Sequence, residues 1–167
     1  LLSIANSVWL GAMKHELFHL MIRSFIGDIP AWLDEGIACY YESSGLENNV
    51  ATVNMRNYRT NIFRSLDMMR EESKDNLPVP TIGNLTNYTW QQFSGLPGDL
   101  MIKASLNYSV SYIFVKFLSD QNKLRIVVDA FRNRTYTETQ SEGDAGEELT
   151  ILHVRPGDEI LTAALGM

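Results

Sequence analysis

His15-Glu16-Leu17-Phe18-His19 sets two imidazoles four residues apart, with a carboxylate next to the first. On a helix, residues four apart stand one above the other, so His15 and His19 aim two ring nitrogens at one point in space. That spacing suits a single metal ion. Zinc takes imidazole nitrogen readily and in catalytic sites holds three protein ligands and a water, so a third donor must come from another element. Glu16 projects beside the histidine pair, where it can reach the metal's water without ligating the metal, as a general base must. The surroundings are apolar, and two histidines and a glutamate there would be costly without a shared partner.

The carboxylates that follow soon after are Asp28, Asp34, Glu35 and Glu42. A helical hairpin would carry a second helix back past the first, and Glu35 is the preferred third ligand. It stands about one turn into that second helix, with Trp32 and Ala38 three residues to either side, and so is expected to face inward. Asp34 is expected to point away, and Asp28 to cap the turn or be solvated. Glu42 is expected to be an exposed residue, with a hydrogen bond to a histidine as the alternative.

The elements that must position these residues can be read from the apolar spacing. Ser3 to about Ile26 contains no proline, and its apolar residues recur every three or four positions, which predicts a long buried helix. Gly27 is placed to cap it in a left-handed conformation, Asp28-Ile29-Pro30 turns the chain, and Pro30 suits the first turn of a second helix over 31–41. Further helices are expected over 54–72, 100–120, 123–131 and 158–165. Residues 76–87 read as an extended connection, and Thr150 to Val154 has β-branched character. Residues 134–147 are polar, contain two glycines and read as a flexible loop. The expectation is a single, mainly α domain spanning 1–167.

Composition narrows the classes. The 167 residues are 45% apolar and 20% charged, which fits one globular domain with a real core. The net charge of −6 argues against a nucleic-acid-binding surface, which needs clustered Lys and Arg. Cys39 is the only cysteine, so any zinc site must be built from His and carboxylate. The apolar run from Leu1 to Met13 continues into Lys14-His15-Glu16 and reads as neither a signal peptide nor a membrane span. Because the chain starts at Leu1, it is expected to be part of something longer. Sequons at Asn84, Asn87, Asn107 and Asn133 carry no weight, since such triplets are common by chance.

His15 to His19, followed by Trp32-Leu-Asp-Glu-Gly-Ile-Ala38, resembles the gluzincin metallopeptidases, the clan of thermolysin and the M1 aminopeptidases. The likeness is greatest to the compact bacterial peptidase MA-like families. M1 enzymes carry a similar Trp-Leu-Asn-Glu-Gly-Phe-Ala segment whose Glu is the third zinc ligand, and Glu35 occupies the matching position. Fifteen residues separate His19 from Glu35, fewer than in M1 enzymes, which points to the peptidase MA-like group. In M1 enzymes a later helix opens with a Tyr that donates to the oxyanion. Tyr108 matches that position when the helices are aligned by apolar pattern, with Tyr112 one turn on as the alternative; both also fit as core tyrosines. Two features depart from the family. Gly11-Ala-Met13 abuts the zinc motif and is read as a chance likeness to the exopeptidase segment. Only fourteen residues precede His15, so the sheet that gluzincins place before the zinc helix is expected either to lie outside this stretch of chain or to be reduced.

The resemblance implies a zincin-like helical subdomain with little sheet of its own, one Zn2+, a peptide or protein substrate and hydrolysis with Glu16 as general base. A metal-stabilised binding module, or an inactive homologue, is the competing reading.

Overall fold

The computed structural model describes residues 2–47, 50–53, 57–72, 79–95, 101–133, 135–142 and 147–166. The chain is mainly helical. Its helices are α1 (Leu2–Phe25), α2 (Ala31–Glu42), α3 (Tyr58–Glu72), α4 (Ile82–Thr86), α5 (Trp90–Ser94), α6 (Met101–Asp120), α7 (Leu124–Arg132) and α8 (Gly157–Leu165). Two antiparallel hairpins complete it: β1 (Ser44–Glu47) with β2 (Val50–Val53), and β3 (Thr135–Glu142) with β4 (Glu147–Val154). Among the described residues, no helix is long and apolar enough to cross a membrane.

Helix α2 is the axis of the core. Its residues from Ala31 to Cys39 are all buried, and Trp32, Leu33, Ala38 and Cys39 are fully so. Helices α1 and α6 pack along it. Gly36 lets α6 come close: a Cβ there would stand 2.6 Å from Val115 Cγ2 and 2.9 Å from the Ser111 carbonyl oxygen. At the α1–α2 corner Gly27 adopts φ +94°, which side-chain-bearing residues rarely adopt, and its N–H reaches the Ile22 carbonyl at 3.0 Å.

Several expectations are corrected. Helix α1 is not buried all round. It covers Gly11, His19 and Ile22, whereas Trp9, Met13, Leu17, Leu20, Met21 and Phe25 are exposed along its other side. The apolar repeat gives the helix but not what covers each face, and α2 covers only one. The expected loop over 134–147 is largely a hairpin, with Thr135 paired to Val154 and Glu142 to Glu147; Arg134 and residues 143–146 lie outside the described residues. Thr135, Thr137 and Thr139 suit extended backbone, and pairing with the β-branched 150–154 segment satisfies their peptide groups. Within the expected extended connection, residues 82–86 form α4, capped by the Thr81 hydroxyl, which accepts from the Asn84 N–H. The third helix runs from Tyr58, with 54–56 outside the described residues.

Candidate metal centre

The α1–α2 hairpin brings His15, His19 and Glu35 together. His15 Nε2 lies 3.1 Å from Glu35 Oε2 and 3.1 Å from His19 Nε2, and His19 Nε2 lies 3.5 Å from Glu35 Oε2. Donors about 2.0–2.1 Å from a tetrahedral zinc stand about 3.3 Å from one another, so the triangle has the dimensions of one face of that tetrahedron. The two imidazoles meet edge to face, with centroids 4.7 Å apart. Glu16, on the same turn, is exposed beside them.

Asp34 is the principal residue that sequence reasoning misplaced. It does not point away; it is buried, and its Oδ1 accepts a hydrogen bond from His19 Nδ1 at 2.8 Å. This bond fixes the ring and leaves Nε2 as the inward nitrogen, the arrangement by which carboxylates orient metal-binding histidines. A signal was available, because a carboxylate next to a ligand candidate on the second helix can face the same partner helix when the two cross. Glu42 is half-buried, with Oε2 3.8 Å from His15 Nδ1, beyond hydrogen-bond reach, and 3.2 Å from Arg59 Nη2. Arg59 itself was not singled out from the sequence.

Tyr108, on α6, donates its hydroxyl to Glu35 Oε1 at 3.2 Å. Tyr112 is fully buried one turn on. Of the two tyrosines considered, Tyr108 is therefore the one brought to the cluster, through the α2–α6 contact at Gly36. Burial, and then the neighbouring Glu35 carboxylate, push its phenol up, which keeps it a donor at neutral pH.

The hydrogen bond to Asp34, then that to Glu35, raises the His19 pKa to about 10. Burial works to raise Glu35, but its hydrogen bonds with His15 and His19 prevail and hold it at about 2. With His19 deprotonated, as a metal ligand must be, Asp34, Glu35 and Glu42 bring three carboxylates to one confined region against the positive charge of Arg59. A divalent cation is of the sign and size that completes the balance, so the residues present fit one zinc ion. Cys39 also lies near, since one donor each from His15, Glu35 and Cys39 falls within 4.8 Å. That set is looser than the triangle with His19, and burial pushes the Cys39 thiol up, away from the thiolate a metal needs.

A cavity of about 540 Å³ lies at the start of α2 between Pro30, Tyr88, Trp90 and Arg155; none of the site residues lines it. No protein-family model, no curated protein and no solved structure matches this chain.

Proposed function

We propose that the chain is a zinc-dependent metallopeptidase of the zincin-like, gluzincin kind, close to the peptidase MA-like group, with His15, His19 and Glu35 as the ligands of one Zn2+. The supporting observation is the 3.1, 3.1 and 3.5 Å triangle of donor atoms, with Asp34 bonded behind His19. Zinc held there supplies Lewis acidity towards a peptide carbonyl and lowers the pKa of water to near neutrality. Glu16, exposed next to the ligands, takes the proton from the attacking water and delivers it to the leaving amine. The Tyr108 hydroxyl, now on Glu35, is placed to turn towards the oxyanion and donate to it. The substrate is a peptide or protein.

Glu16→Gln tests this directly. The variant should keep one zinc per chain and lose hydrolysis of a peptide library by roughly 100-fold or more, the scale of general-base catalysis. A wild-type digest stopped by a chelator should accompany it. If Glu16→Gln cleaves as the wild type does, the mechanism is wrong; if metal-loaded wild type cleaves nothing, the binding-module reading takes its place.

A further inference from the structure

Arg59 and Glu42 stand behind the candidate ligands, where neither has been given a role. Arg59 sits in the first turn of α3, and that turn is anchored to α2. The buried Asn57 side chain donates to the Cys39 carbonyl at 2.9 Å and accepts from the Arg59 N–H at 2.9 Å. The guanidinium is thereby held at the back of the cluster, its side chain 13% exposed. Its Nη2 takes Glu42 Oε2 at 3.2 Å, and its Cζ lies 5.3 Å from the centre of the Tyr108 ring. The Glu42 oxygen bonded to Arg59 is the one 3.8 Å from His15 Nδ1. Among the described residues, two buried nitrogens near this carboxylate, His15 Nδ1 and Arg59 Nε, have no hydrogen-bond partner. Imidazole and guanidinium compete for one carboxylate, and the guanidinium has it.

We propose that Arg59 is a positioning residue of this site: it draws Glu42 off His15 and holds the Tyr108 ring in place beside Glu35. The proposal rests on the metallopeptidase reading above. A carboxylate bonded to a ligand histidine strengthens metal binding, and a nearby fixed cation opposes it. Arg59 therefore gives up some zinc affinity in exchange for a Tyr108 hydroxyl held in place for the oxyanion. Removing it leaves Tyr58 as the neighbour of Glu42, lets the carboxylate move towards His15 and removes one positive charge, so the metal is held more tightly. It also takes the guanidinium from one side of the Tyr108 ring, leaving Phe93 as its ring neighbour, so turnover falls.

The test measures zinc affinity by chelator competition for the wild type, Arg59→Ala, Arg59→Lys and Glu42→Gln. Steady-state kinetics are added on a peptide found in the library digest. Arg59→Ala should bind zinc roughly tenfold more tightly, the scale of outer-ligand effects, and Glu42→Gln should bind it more weakly because the Arg59 charge is then left unopposed. Arg59→Ala should also lose kcat with KM unchanged. A guanidinium that only supports the fold would weaken zinc binding when removed, as the glutamine variant does; that outcome, or an unchanged affinity, overturns the proposal. If Arg59→Ala does not fold, Arg59→Lys decides: it keeps the charge but not the planar face, so affinity should stay within about twofold while kcat falls. An unchanged kcat in Arg59→Lys overturns the proposal and leaves the metal reading standing. Wild type that binds no zinc overturns both.

Discussion

Asp34 Oδ1 lies 2.8 Å from His19 Nδ1, and this bond decides which face of the imidazole looks into the cluster. Without it, the ring has no fixed tautomer and can turn its other nitrogen inward.

Asp34→Ala should therefore weaken zinc binding by roughly 10- to 100-fold, the range seen for partners of ligand histidines, while α2 stays folded. Chelator competition combined with circular dichroism checks this. Unchanged affinity would show that Asp34 only fills space.

The same pair gives metal-free protein a pH signature. His19 has a folded-state pKa of about 10 against an ordinary 6.5, so its contribution to stability is fully present below pH 6.5. It is lost as the pH rises through about 10. Chelator-treated wild type should lose more thermal stability between pH 7 and 10 than Asp34→Asn, whose neutral amide cannot hold the imidazolium. Parallel curves for the two proteins would refute the pairing.

Gly36→Ala tests the close approach of α2 and α6. Its methyl would meet Val115 Cγ2 at 2.6 Å and the Ser111 carbonyl oxygen at 2.9 Å, so one helix must shift. Overpacking of this kind costs about 1–3 kcal/mol. The thermal midpoint should fall, and turnover should fall with it, because Tyr108 rides on α6. An unperturbed midpoint would contradict the packing described.

Much of the site was legible because its signal is periodic. The His15–His19 spacing and the inward face of Glu35 follow from helix geometry alone, and the structure places these three side chains together. Asp34 was misread because flanking apolar residues describe one helix, whereas its partner comes from the crossing of two. Arg59 was invisible for a similar reason: nothing in Asn57-Tyr58-Arg59 indicates that α3 starts behind α2. Strand β3 was hard to read because its polar sequence lacks the apolar alternation that marks a half-buried sheet. The Thr89 and Gln92 capping box that starts α5 is legible in the sequence, since threonine and glutamine three apart are its signature.

The separations along the chain also set an order of assembly. His15 meets Glu35 across 20 residues, within one helical hairpin, whereas Tyr108 reaches Glu35 across 73. Closing the longer loop costs more entropy, and it cannot happen until α6 docks on Gly36. The donor triangle is thus built from contacts within the first two helices. The Tyr108 hydroxyl reaches Glu35 only where α6 has packed on α2.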